Sequence, residues 1–524
     1  MSTRSFVRSP SRAALTAAVV SSFAWQPAIA QEDDGPGNDT LDEVVVVGFR
    51  SSLVNAISSK RESDAVVESI SAEDIGKLPD ISIAESLARL PGVTAQRTGG
   101  QANALNIRGL DQGLILTTLN GREQVATSGG RAIEFSQYPS ELISGADVYK
   151  SPEARLIEGG LAGTVALRLA RPLDGPRDQA HRIGANFRGS YNDLAGDTFD
   201  ADEYGYRASL TYQGILADET LGVTVGYARL VQPNVETRFG SDTFTQTGND
   251  GDGNGTNNFI PFRYSAEELG GEDARDGFIV GLQWQPTDTF ELVFDGYYSK
   301  FDSTGFARGV TLLGPQSIGG GTILTNASIQ NDVITGGTFT RNAAAPITDP
   351  NAPFTTGACC GGFGITPSSD TQTRDFEDEL MTLGLGATWE LGQWKISGDL
   401  SYSNSDAFAP DSRIIIHQVN NGFQLEENVV FNFQQNGLNV PSVFTFDNNF
   451  GDNPAQVAVG GIQSFPTENE DELTAIATEF EYAFAEGPLS TIQFGARYSD
   501  RSTSQVRSGF SLGNDAGFYQ FAQN

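Results

Sequence analysis

Cysteine, histidine and basic residues are scarce. Of 524 residues two are Cys and two are His, and 33 Lys and Arg stand against 66 Asp and Glu, a formal charge of -33. That charge disfavours polyanionic partners, so no nucleic acid is expected. The two cysteines, Cys359 and Cys360, are adjacent. They build no disulfide framework of the kind that staples small secreted domains, so stability must come from ordinary secondary structure. A vicinal disulfide or two small residues in a Gly-rich loop both fit the pair. With two isolated histidines there is little material for a catalytic metal, and neither a metal nor a cofactor is expected. No segment beyond the N-terminus has the run of about 20 apolar residues that a membrane-spanning helix needs.

What is present begins with a signal-like N-terminus. Arg4, Arg8 and Arg12 precede an apolar run from Ala13 to Trp25, and Ala28-Ile29-Ala30 has the small-x-small form that signal peptidase accepts. Residues 1–30 are expected to be removed, leaving Gln31 first. Residues 31–57 then form a polar, Gly-bearing leader around "DEVVVVG". Four valines are a strong strand former, yet this run has no neighbour with which to pair. An extended segment of this kind can add itself to the sheet edge of another protein, through main-chain hydrogen bonds.

Residues 58–172 read as a compact α+β domain. In "SIAESLARLPGV", Ser82 and Glu85 have the spacing of a capping box, Ile83, Leu87 and Leu90 share one helical face, and Pro91 ends the helix. "LILTTLNGREQV" predicts a hairpin turning at Asn120-Gly121. Pro139 opens a helical turn, "ADVYK" is a short strand, and Gly159, Gly160 and Gly163 lead into a last strand over 164–169.

From about Arg182 onward, within an expected second domain of residues 173–524, the pattern changes to long segments alternating apolar and polar residues. Phe290, Leu292, Phe294 and Tyr298 face one way, and Glu291, Val293, Asp295 and Ser299 the other. Trp394, Ile396, Leu400 and Tyr402 oppose Lys395, Ser397, Asp399 and Ser401 in the same manner. The spacing predicts nine strands, near 182–192, 203–216, 220–232, 276–285, 289–302, 376–391, 393–406, 472–485 and 489–501. Tight turns alternate with long polar loops, the pattern of an outer-membrane barrel with short periplasmic turns and long external loops. Aromatic residues such as Tyr227 and Trp284 suit its interfacial girdles, and a mean hydropathy of only -0.26 fits a wall whose inner half is wet. Nine is an odd number, and the sequence stops at "GFYQFAQN". The expectation is therefore the N-terminal portion of a barrel in a truncated chain, a curved sheet with unpaired edges near 182–192 and 489–501.

Taken together, "DEVVVVG", "LARLPGV", "NIRGLDQG" and "VYKSPEARLIEGGLAGTV" resemble, in this order, the TonB-dependent receptors of Gram-negative outer membranes, particularly the xanthomonad and caulobacter subgroup. The resemblance covers the chain from Met1 to its end. It implies a barrel of about 22 strands occluded by the N-terminal plug, of which residues 173–524 supply about nine. It also implies energised uptake of a siderophore, cobalamin or oligosaccharide, with the periplasmic C-terminal domain of TonB and outer-membrane lipid as partners. By position, Asp42, Glu43, Val44, Val45, Val46 and Val47 become the TonB box, and Ile107-Arg108-Gly109 falls on a recurrent plug motif. A passive porin or adhesin would share the strands without needing the plug or the valine run. A secreted polysaccharide-active enzyme would need paired carboxylates that the sequence does not place.

Two motif matches are weaker. "GFSLG" places Ser511 in a nucleophile-elbow pattern, but without its strand-turn-helix context and with both histidines upstream. "DGDGNG" begins like a calcium loop at Asp250, Asp252 and Asn254, but Pro261 stands where the bidentate Glu is needed. No enzyme is expected.

Overall fold

The computed structural model describes residues 57–512, except 59, 62, 72–81, 99–100, 175–179, 200, 247–256, 314–321, 342–365, 419–429, 436–440 and 447–456. The signal-like segment, the leader with Asp42 to Val47, the acidic turn at 250–255 and the two cysteines lie outside the described residues.

The first seven strands are β1 (Val67–Ser71), β2 (Val93–Thr98), β3 (Gln101–Ile107), β4 (Ile115–Leu119), β5 (Arg122–Glu123), β6 (Gly145–Tyr149) and β7 (Gly163–Arg168). Five of them make one sheet in the order β1-β6-β7-β4-β5, while β2 and β3 pair separately. The β4–β5 hairpin turns at Asn120 and Gly121, whose φ angles of 51° and 84° are both positive, as its Asn-Gly sequence predicts. Ile83, Leu87, Leu105, Ile107, Val148, Val165 and Leu167 close the core of this unit.

The capping box is a correction. The helix Ile83–Leu87 is a single turn, and the Ser82 hydroxyl makes no cap bond but donates to the Ala102 carbonyl at 2.8 Å. Glu85 pairs with Arg97 at 3.2 Å instead. The tertiary partner prevails because the buried Ser82 hydroxyl needs an acceptor for its hydrogen, which the Ala102 carbonyl supplies and a cap, where the hydroxyl only accepts, does not. Its apolar face is as expected, with Ile83 and Leu87 buried and Leu90 packed against them. Pro139 begins only an isolated turn, closed by Leu142 N–H on the Pro139 carbonyl at 3.1 Å.

The remaining strands form a second sheet. They are β8 (His181–Tyr191), β9 (Tyr204–Leu216), β10 (Leu221–Pro233), β11 (Glu236–Gln246), β12 (Phe259–Thr287) and β13 (Phe290–Leu313). Next come β14 (Thr322–Gln330), β15 (Val333–Arg341), β16 (Thr366–Thr373), β17 (Phe376–Leu391), β18 (Trp394–Ala409) and β19 (Ser412–Gln418). Last are β20 (Val430–Gln434), β21 (Val443–Phe446), β22 (Val457–Ser464), β23 (Thr467–Ala483), β24 (Thr491–Arg507) and β25 (Phe510–Leu512). An unbroken antiparallel wall runs β8-β9-β10-β12-β13-β17-β18-β23-β24. These nine strands coincide with the nine expected from the sequence.

The sheet nevertheless holds more strands than expected, and the wall strands run further. β11, β16, β19, β22 and β25 continue neighbouring wall strands across two-residue breaks, and β14, β15, β20 and β21 are hairpins of the long loops. β12 alone has 29 residues, about 95 Å of extended chain, where roughly 10 residues cross a bilayer. The alternation that marks a strand fades in "AEELGGEDARD", because beyond an apolar band neither face selects for apolar side chains. The loop hairpins have a separate aromatic core, in which Phe431 contacts Phe339, Phe433, Phe444 and Phe446.

The strand order is that of a closed ring in which β25 adjoins β8. Among the described residues, however, no residue pairs join β8 or β9 to β24 or β25. β8 bonds along β9, and β24 along β23. Both edge strands are exposed along nearly their whole length. β8 and β24 are thus the edges of the described wall, each paired along one side.

Both predicted faces are in place. Val225, Val280, Leu282, Leu383, Leu385, Leu400 and Ile476 lie exposed on the outside. Trp284, Phe290 and Trp389 stack edge to face near the short turns, and Tyr227, Phe278 and Tyr298 form a second belt. Phe290 and Tyr298 stand eight residues apart, about 26 Å along β13, close to the height of a barrel's apolar band. Among the described residues no helix is long and apolar enough to cross a membrane, which says nothing about strands.

Candidate functional site at the plug and wall seam

The sheet β1-β6-β7-β4-β5 packs against the inner face of the wall, and the seam between them is polar. At its centre, Arg122 on β5 donates to Asp295 of β13 at 2.6 Å and to Asp399 of β18 at 2.7 Å. The guanidinium is 4% exposed, Asp295 9% and Asp399 35%. Burial works against the charged guanidinium, but bonds to Asp399 and Asp295 outweigh it and raise the Arg122 pKa. The next residue, Glu123, pairs with Arg497 at 2.9 Å and Arg501 at 3.6 Å, and Arg501 also donates to Asp471 at 2.8 Å.

Higher in the seam, Gln124 accepts from Thr382 of the wall at 3.0 Å and from Tyr138 at 3.1 Å. The Tyr138 ring stacks on Tyr297 of β13 with centroids 5.2 Å apart, and the Tyr297 hydroxyl donates to the Gln137 carbonyl at 2.5 Å. The Gln137 side chain accepts from Ser299 at 3.2 Å and donates to Asp378 at 3.0 Å. Arg275 donates to the Ser136 carbonyl at 2.5 Å, and Gln101 to Asp273 at 2.7 Å. Burial would raise the Glu141 pKa, but Arg275 and Arg207 draw it below its ordinary value.

Wall glycines admit the plug. A β-carbon at Gly384 would overlap the Arg122 guanidinium, one at Gly277 would stand 2.5 Å from Pro139, and one at Gly226 2.9 Å from Leu142. Toward the short turns the seam opens into a cavity of about 710 Å³, lined by Arg122, Arg155, Arg171, Glu291, Asp399 and Glu479 among others. A second space of about 690 Å³ lies on the other side of residues 155–157. The plug is thus held by these hydrogen bonds and ion pairs together with an apolar contact, in which Leu142 and its neighbours share one buried cluster with Ala228, Ile279, Leu380 and Leu473 of the wall.

Of the residues singled out from the sequence, Ile107 is buried at the end of β3, and Arg108 and Gly109 follow with φ of 53° and 74°. Arg108 donates to the Lys150 carbonyl at 2.9 Å, and its own N–H to the Gly92 carbonyl at 2.8 Å, so the motif closes a turn within the plug. Ser511 lies on β25 within a strand ladder. Arg122, Asp295 and Asp399 were not singled out as a set. The signal was there: Asp295 and Asp399 fall on the inward parity of two strands, where an acid calls for a partner.

Residues 59–165 match the family described as TonB-dependent Receptor Plug Domain. Among solved structures, the chain is similar to the ferric enterobactin receptor PfeA, at 12% identity over 81% of this chain and 63% of that one, with a TM-score of 0.33. It is similar to the copper transporter OprC at 11% identity over 86% and 60%, TM-score 0.36. A third is the siderophore receptor PirA from Acinetobacter baumannii, at 11% over 84% and 92%, TM-score 0.29. The chain spans less than two thirds of the length of PfeA and of OprC.

Proposed function

We propose that the chain is a TonB-dependent outer-membrane receptor, in which residues 58–172 plug a β-barrel wall and substrate uptake requires the plug to be moved. The observation that carries this is a family-matched plug domain seated on the polar inner face of a strand wall through Arg122, Asp295 and Asp399. The outer face supports it, being an apolar band between aromatic belts as a bilayer requires. A wide pore leaks unless plugged, and a plug permits uptake only if work is applied to it. The outer membrane has no ATP, so force must come through a tether. Asp42 to Val47 serve as that tether by adding a strand to the periplasmic domain of TonB. The substrate belongs to the large, scarce class that needs such a pore: a siderophore, cobalamin or an oligosaccharide.

The test is Val45→Pro in the full-length receptor in cells. Proline removes a main-chain donor and fixes φ, so strand addition fails. Surface binding is expected to persist while uptake is lost, and normal uptake by the variant would sink the tether.

A further inference from the structure

The seam contains two carboxylates that share a single hydroxyl, an arrangement that one added proton would complete. Glu134 belongs to the plug and Asp378 to β17, and the single hydroxyl of Thr127 lies 3.2 Å from an oxygen of each. Each of these two oxygens has one amide donor as well, the Thr127 N–H for Glu134 at 3.2 Å and the Gln137 side chain for Asp378 at 3.0 Å. The hydroxyl carries one hydrogen and can donate to only one of them. With both carboxylates ionised, the remaining contact sets two acceptors against each other. One added proton completes the chain: a carboxyl O–H donates to Thr127 Oγ1, and the Thr127 O–H donates to the other carboxylate.

The surroundings favour that proton. Among the described residues neither acid forms an ion pair, and in the ladders Asp378 stands beside Phe301 and Ala407. The ionisable groups that bear on the pair include the Asp302 carboxylate, itself paired with Lys300 at 3.5 Å, and the Tyr138 phenol. Burial, offset in part by bonds from Ser128 and Thr127, raises the Glu134 pKa. We propose that the plug–wall seam holds one proton, shared between Glu134 and Asp378 through the Thr127 hydroxyl, and that plug seating is therefore linked to pH. The sign follows from proton counting. The seated state binds a proton that the unseated, solvated acids release, so seating weakens as pH rises through the seated pKa, by at most about tenfold per pH unit. This linkage is independent of what the receptor carries and of how it is energised.

The experiment uses the full chain in detergent, with hydrogen-exchange protection factors at Ala126, Thr127 and Ser128 followed between about pH 5 and 8. The wild type should lose protection with rising pH, and Glu134→Gln and Asp378→Asn should each flatten the profile, because either leaves one acceptor for the hydroxyl. Thr127→Val, which keeps both acids but removes the bridging hydroxyl, should weaken the dependence, and an undiminished one would show that the proton is not held through Thr127. Infrared spectra supply a second readout: the wild type near neutrality should show a protonated-carboxyl stretch that Glu134→Gln and Asp378→Asn both lack. A wild-type profile parallel to that of Glu134→Gln, or no such band in the wild type, overturns the proposal.

Discussion

Arg122 and Gly384 occupy one another's space. The guanidinium of the plug residue lies where the β-carbon of any other wall residue would stand, and Asp295 and Asp399 hold it there at 2.6 and 2.7 Å. Being held at both ends, the arginine cannot swing aside as a free one would. Gly384→Ala should therefore displace the guanidinium and loosen the plug. Increased protease accessibility of residues 120–130 in the full chain is the measurement, and unchanged digestion would show that the seam adapts.

Removing the cation should cost more than removing the whole pair. Arg122→Met takes from the buried Asp295 its nearer partner and leaves only Arg171 at 3.7 Å, at a cost of up to about 3–5 kcal/mol for a pair this enclosed. Arg122→Met combined with Asp295→Asn should recover most of that loss. Denaturant midpoints of the three proteins test this, and a double variant no more stable than Arg122→Met would show that Asp399, the more exposed partner, carries the interaction.

The β4–β5 turn gives a prediction confined to the plug. Gly121 has φ of 84°, a region β-branched residues avoid, so Gly121→Val should destabilise the plug by about 1–3 kcal/mol. Gly121→Asn should be far milder, since Asn tolerates positive φ. Thermal unfolding of both variants tests the claim, and equal midpoints would place the cost elsewhere.

The two faces of the wall should respond oppositely to charge. Leu385 is exposed on the outer face, and Leu385→Arg should cost about 2–4 kcal/mol of membrane insertion near mid-bilayer. Ser397 lines the inner cavity, and Ser397→Arg should insert normally. The amount of each variant recovered in outer membranes is the readout, and equal recovery would count against the bilayer placement.

The strands, the turns and the two faces of the wall were legible in the sequence because each rests on local chemistry. Alternation needs only one residue's side chain to point away from the next, and Asn120-Gly121 makes its turn from its own backbone preferences. The order of motifs from Asp42 to Val165 likewise sufficed for the family resemblance. Three things were decided only by tertiary structure. The length of β12 and β13 was hidden because alternation persists only where one face meets an apolar phase. Ser82 looked like a cap until the Ala102 carbonyl, a partner 20 residues away, was placed beside it. The seam itself depends on contacts between distant positions, such as Arg122 with Asp399 at a separation of 277 residues. No local periodicity encodes which plug cation meets which wall carboxylate, because that pairing exists only once the sheet has curved around the plug.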